Sequence, residues 1–387
     1  MTQAAPIRAA SSTAVPRTMR YMGEVVYIYA FDVAYEMNQR PLRELLGHPV
    51  AQFVVDASKR SPRQLFFYRP DMVRLPPLER IGPRGPLRLQ RSIKLLPVGA
   101  ISITVRVPFE VDRLEDLVPY HDLRFNDGSY LYDEVRQLAE DVRREMQPQF
   151  IRPVPQLSDE EAYTVFCIRS PLAGDQGEQI SAEQWLLDHR RSVAALLTEE
   201  THPQQLSDQE ADESTSKYYS YYEQDLVVVD WDAALIVDEA RYFDEVLHIM
   251  ELANLQLAEL EAYDRILDTA VDRSYRDLGG GRLRGRQNNR VQRELREIRV
   301  DFARLSDELS NITKFFGDWH LARIYQGLSQ RFHLSDWHRT IDEKLKTLDD
   351  LYQILRHDQT NRWMLLLEVM IVLLFIIDVV LLVFSGR

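Results

Sequence analysis

The chain has 387 residues, 45% of them hydrophobic, and its 60 acidic and 47 basic side chains give a formal net charge of -13. That composition is too apolar for a chain disordered throughout, and it excludes a protein whose whole surface binds nucleic acid, because such a surface would have to be basic. Cys167 is the single cysteine, so an internal disulfide and a cysteine zinc site are excluded as well.

Residues 1–20 carry Arg8, Arg17 and Arg20, several small residues and no acid, without the apolar run of a secretory signal; they read as a disordered tail. Residues 21–237 have the pattern of a mixed α/β domain. Strands are predicted in GEVVYIYAF from Gly23, AQFVVD from Ala51, QLFFYR from Gln64 and ISITVRV from Ile101. In the last of these, Ile101, Ile103, Val105 and Val107 alternate with Ser102, Thr104 and Arg106, the period of a half-buried strand. Between Pro76 and Arg91 the chain is studded with Pro, Gly and Arg, which predicts an exposed basic loop or hairpin, the loop being favoured. Leu131, Val135, Leu138, Val142 and Met146 then recur at helical spacing, AYTVFCI from Ala162 reads as a strand, and Ser181 to Gln184 opens a second helix. The polar stretch 199–216 reads as a surface loop, and a strand is predicted from Leu226 with Trp231 near its end.

Beyond residue 238 the period lengthens to that of helices. Residues 238–334 read as an antiparallel helical hairpin, with coiled-coil seams running from Val246 to Ala270 and from Val291 to Trp319 and a reversal at Gly279 to Gly281. A third register through Ile341, Leu345, Leu348, Tyr352 and Leu355 makes 335–362 a helical stalk that starts at a Ser335 N-cap. Residues 363–384 are apolar, and 22 residues give about 33 Å against a hydrocarbon core of about 30 Å. With Arg362 and Trp363 before it and Arg387 beyond, this run is expected to be a tail-anchoring transmembrane helix. The fold class is therefore α+β: a mixed α/β N-terminal domain, then long antiparallel helices, then one C-terminal transmembrane helix. Glu368 and Asp378 lie inside the apolar run about 80° apart, so both are expected to face a partner helix, in a homo-oligomer or against another membrane protein.

Few residues carry recognisable chemistry. GGGRLRGR from Gly279 lacks the Lys and Ser/Thr of a phosphate-binding loop and follows a helix, so it reads as a helix-helix turn. Arg282, Arg284, Arg286 and Arg290 around it are the candidate partner-binding residues, suited to RNA or ribosomal phosphates or to lipid headgroups. His320, His333 and His338 lie near Asp318 and Asp336, but their spacing matches no metal motif and no metal is assigned. No nucleophile motif is present, and neither an enzyme nor a cofactor is expected.

The stretch from Gly317 to Asp378, through Trp337, Lys344, Leu345, Leu351, Tyr352, Leu367 and Glu368, resembles the end of the "required for meiotic nuclear division" family, in which a Trp-led helix runs into a terminal membrane helix. ELANLQLAELEAYDRILD from Glu251 replaces the alanine-rich helix of that family. The resemblance implies membrane association, implies support of ribosomes by analogy with a mitochondrial member, and brings no catalytic residues. The function expected is that of a non-enzymatic, single-pass membrane scaffold, oligomeric and with its N-terminal part on the cytoplasmic side of a bacterial inner membrane rather than in a mitochondrion. The alternative is an oligomeric cation channel of CorA-like topology that uses Glu368 and Asp378, although the Gly-Met-Asn signature and a second membrane helix are missing.

Overall fold

The structure, a computed structural model, describes residues 21–38, 42–53, 70–96, 99–154, 157, 160–172, 179–280, 293, 296–300, 302–303 and 319–385. Strand β1 (Tyr21–Asp32) shows why the N-terminal part reads as it does. Its VVYIYAF run is apolar at consecutive positions because both faces are covered. Val25, Tyr27, Tyr29 and Phe31 point into one core, and Val26 and Ile28 point into a second. Burying such side chains stabilises the fold by about 1.5–3 kcal/mol each.

The further strands are β2 (Ala34–Met37), β3 (Glu44–Leu45), β4 (His48–Gln52), β5 (Asp71–Gly82), β6 (Gly85–Leu96), β7 (Ala100–Val111), β8 (Phe150–Pro153), β9 (Glu161–Arg169), β10 (Tyr218–Tyr219), β11 (Leu226–Val229) and β12 (Ala233–Asp238). Ten of them form one sheet in the order β10-β11-β12-β9-β1-β7-β6-β5-β4-β3, and β2 pairs with β8 apart from it. Within the large sheet β12 runs parallel to β9, while β1 is antiparallel to both β7 and β9. Helices α1 (Leu131–Met146), α2 (Ala182–Asp188) and α3 (Arg190–Leu197) cover one face through Val135, Val142, Trp185 and Leu196. Ser181 caps α2, accepting the Gln184 backbone N–H at 3.2 Å.

Two segments expected as loops are ordered elements. Pro76 to Arg91 lies within the β5–β6 hairpin, in which Leu75 pairs with Arg91 and Leu78 with Leu89. Pro76 and Pro77 fall in the register shift between those pairs, where a proline removes no ladder hydrogen bond. Gly85, with φ of +127°, supplies the turn. The stretch 199–216 contains helix α4 (Asp208–Ser214), capped by Ser207. The QLFFYR segment lies outside the described residues.

Helices α5 (Phe243–Gly280), α6 (Trp319–Arg331) and α7 (Leu334–Ser385) cover the other face. Ile249, Ala253 and Leu260 of α5 share a core with Ile324 and Leu328 of α6 and with Ile341, Leu345 and Leu348 of α7. The start of the expected stalk therefore lies against α5, where Lys344 bridges to Asp264 at 2.6 Å. Gly327 lets α6 approach β10: a Cβ there would stand 2.2 Å from the Tyr219 hydroxyl. Of the reversal expected at Gly279 to Gly281, Gly279 and Gly280 are the last residues of α5, while Gly281 and most of the second hairpin limb lie outside the described residues.

The architecture is thus mixed α+β, an N-terminal sheet followed by C-terminal helices, and the expected transmembrane helix is a correction. Among the described residues no helix is long and apolar enough to cross a membrane. Glu368 and Asp378 both fall within the apolar run 363–384. Tail anchoring, single-pass topology and a place at a bacterial inner membrane are overturned with it. A pore lined by Glu368 or Asp378 presupposes such a span and is not carried forward.

Candidate functional site

Strands β6 and β7 split their chemistry by face. Leu87, Leu89, Ile93 and Leu95 of β6 and Ile101, Ile103, Val105 and Val107 of β7 enter the core beneath α1 to α3. The alternate residues, Arg88, Gln90, Ser92 and Lys94 with Ser102, Thr104 and Arg106, are directed to the other face. The register aligns them: Lys94 is opposite Ser102, Ser92 opposite Thr104 and Gln90 opposite Arg106, and on the next strand Arg74 is opposite Ser92.

The first turns of α5 lean over this polar strip and leave a cleft of about 400 Å³, within the range of about 300–1,000 Å³ usual for small-molecule sites. Its floor is a buried ionic cluster. Lys94 pairs with Glu251 Oε2, Ser102 donates to Glu251 Oε1 at 2.6 Å, and His248 Nδ1 lies 3.4 Å from Oε2. Burial alone would raise the Glu251 carboxyl, but Lys94 and His248 outweigh it and hold the group down to about 2. Burial likewise depresses His248 below the usual histidine range, against the pull of Glu251. Phe53 closes this end, its ring 3.8 Å from the Lys94 Nζ and tilted against His248. Met72 and Leu247 add apolar wall there.

The opposite end is cationic. Arg106 is shared between Glu24 at 3.2 Å and Asp244 at 2.5 Å, joining β1, β7 and α5. Arg74 and Arg88 line the cleft and are exposed, and no ion pair or hydrogen bond joins either to another side chain among the described residues. Glu79 faces Arg88 across the hairpin. Two guanidinium groups held over a groove of Gln, Ser and Thr are suited to an anion with several oxygens, which a guanidinium meets in a bidentate fashion.

A second group of ionisable side chains sits at the far edge of α5. Burial, reinforced by a hydrogen bond shared with Glu261, pushes the Glu161 carboxyl up to about 8. Burial raises Asp32 to about 7 even though Arg265 opposes it. Both carboxyls are thus raised toward neutral pH, and among the described residues no group of three or more His, Cys, Asp or Glu side chains could hold a metal ion.

None of the residues singled out by the sequence falls in the cleft. Arg282, Arg284, Arg286 and Arg290 lie outside the described residues. Glu368 and Asp378 are exposed on α7, and Glu368 shares a shallow groove with Leu365, Val369 and Val372. The three histidines are not brought together: His333 stacks on Trp231 and contacts Asp336, His338 contacts Gln256, and His320 lies by Tyr221. The cleft was nonetheless signalled in the chain, by the polar half of an alternation that runs through RLQRSIKLL as clearly as through ISITVRV.

Residues 22–244 match the family described as "Uncharacterized protein MJ0711, N-terminal domain". A relative from Methanocaldococcus jannaschii, described as uncharacterized protein MJ0711, is 24% identical over 225 residues, which make up 57% of this chain and 65% of the relative. The chain thus covers less than two thirds of that protein. No solved structure matches. The resemblance expected over residues 317–378 is overturned, because the matching family occupies the N-terminal part of the chain and is a different one. The matched segment contains the whole polar strip and ends at Asp244, where α5 begins.

Proposed function

From the premise that this chain belongs to the family of the MJ0711 N-terminal domain, we propose that it is a non-enzymatic binding protein whose sheet-helix cleft takes an anionic ligand. One observation carries the reading: in a chain of net charge -13, Arg74 and Arg88 line the cleft and, among the described residues, neither is in an ion pair, Glu79 only facing Arg88 across the hairpin, while Glu251 and Asp244, the acids that line the cleft, are already engaged. Both oxygens of Glu251 are taken, by Lys94 and Ser102, and Asp244 is held by Arg106. Cations are thus left for a ligand while the carboxylates that line the cleft, Glu251 and Asp244, are engaged, which favours holding an anion over transforming it. The test is calorimetric titration of the full chain with inorganic pyrophosphate at low ionic strength. Binding is expected, and it should be abolished in Arg74→Glu/Arg88→Glu. No heat with the unaltered chain, or undiminished binding by the variant, would sink the reading.

A second reading, assembly of like chains through α7, is favoured by the large apolar side chains between Met364 and Ile377, which keep 45% to 69% of their surface exposed. Light scattering should then find a multimer for the full chain and a monomer for Val372→Glu.

A further inference from the structure

The cleft differs in character along its length. Arg88 marks one end and Phe53, Met72 and Leu247 the other, with Arg74 beside Ser92 between them. On strand β6 the register places Arg74 beside Ser92 and Met72 beside Lys94, and Arg88 four residues before Ser92. At about 3.3–3.4 Å per residue, the cationic side chains are therefore based roughly 7 to 20 Å from the aromatic end. Between the ends the floor is lined by Gln90, Ser92 and Thr104, which are uncharged and both donate and accept hydrogen bonds.

A free inorganic anion would use the arginines alone and leave the apolar end empty. A purely apolar ligand would leave the arginines unsatisfied. The sequence of guanidinium groups, hydroxyl- and amide-bearing side chains, and then an aromatic and aliphatic wall is complementary to a molecule ordered as phosphate, polyhydroxylated linker and flat ring. We infer that the cleft is a site for a nucleoside phosphate, bound with its phosphates between Arg88 and Arg74, its sugar over Ser92 and Thr104, and its base against Phe53 and Met72. This assignment rests on the anion-binding reading above and narrows it to a ligand class.

The experiment compares four probes on the full chain by calorimetry at one ionic strength: pyrophosphate, glucose 6-phosphate, AMP and ADP. The nucleotides are expected to bind at least about tenfold more tightly than pyrophosphate, the size of gain that burying one ring brings. Phe53→Ala should remove that gain while leaving pyrophosphate affinity within about twofold, and Arg74→Ala/Arg88→Ala should weaken every probe about tenfold or more. Both arginines are exposed, so the double variant is expected to fold, and its thermal unfolding serves as the control. If pyrophosphate or glucose 6-phosphate binds as well as the nucleotides, the nucleotide assignment is overturned and the anion-binding reading stands. If no probe binds the unaltered chain, both fall.

Discussion

On the face of the sheet that meets α5, strands β1, β9 and β12 present Val26, Ile28, Val165 and Ile236, whereas β6 and β7 present Gln90, Ser92, Lys94, Ser102, Thr104 and Arg106. The other face of the same strands carries the first core, with Tyr27, Phe31, Leu89, Ile93, Ile103, Val105 and Phe166. The contrast follows the path of one helix. Where α5 lies flat on the sheet, only side chains without polar atoms can be buried at no cost. Where it skirts the sheet, polar side chains persist, and those that do become buried are tied into the Lys94, Glu251, His248 and Ser102 cluster. The same period of two thus yields a core in one half and a cleft in the other.

The largest effect should come from breaking the cluster. Lys94→Met leaves the Glu251 carboxylate buried without its cation and is expected to cost about 4 kcal/mol in urea unfolding. Adding Glu251→Leu should recover most of that loss, since a buried pair replaced on both sides is often neutral. A double variant as unstable as the single one would show that the cluster is not what holds the polar half together.

A truncation in the apolar half provides the counterpart. Ile236→Ala is expected to cost about 3 kcal/mol, as cavity formation in a packed core does, and the loss should be the same at pH 4 and pH 8 because no charge is involved. Thermal unfolding at the two pH values checks this.

The pH dependence of the unaltered chain comes next in size. Glu251 is depressed in the folded state, so its stabilisation is present above the ordinary glutamate range and is lost as pH falls toward about 2. Glu161 and Asp32 are raised, so their contributions are complete below the ordinary carboxylate range and are lost as pH rises through about 7 to 8. The melting temperature should therefore decline on both limbs, and Glu161→Gln should flatten the alkaline limb by roughly several degrees without touching the acid one. An unchanged alkaline limb in that variant would exclude Glu161 as the cause. The smallest effect on stability belongs to Arg74→Ala and Arg88→Ala, within about 0.5 kcal/mol each, although together they weaken binding at the cleft.

How far the sequence disclosed these features depended on how locally each was encoded. β1, β7, β9 and α1 were legible because every residue of their apolar pattern lies within one element. The β5–β6 hairpin was not, since its prolines read as breakers until the register shift between Leu75 and Leu78 gives them a place outside the ladder. The cleft joins Arg74, Lys94, Arg106 and Glu251, residues up to 177 apart, and no local spacing announces such a grouping. The apolar run of α7 was recognised by its length and composition alone, and its reading as a span did not survive.

The continuity of α7 gives the molecule an unequal geometry. Its 52 residues amount to about 78 Å, and Ile341, Leu345 and Leu348, which seat it on α5, all belong to its first third. From Leu351 to Ser385 runs an arm of about 50 Å, so a tilt of about 10° at the seat sweeps the tip through roughly 9 Å. Because α5 also carries His248 and Glu251 at the cleft floor, a small adjustment there is small only at its origin; at the far end of α7 it becomes a displacement as wide as a helix.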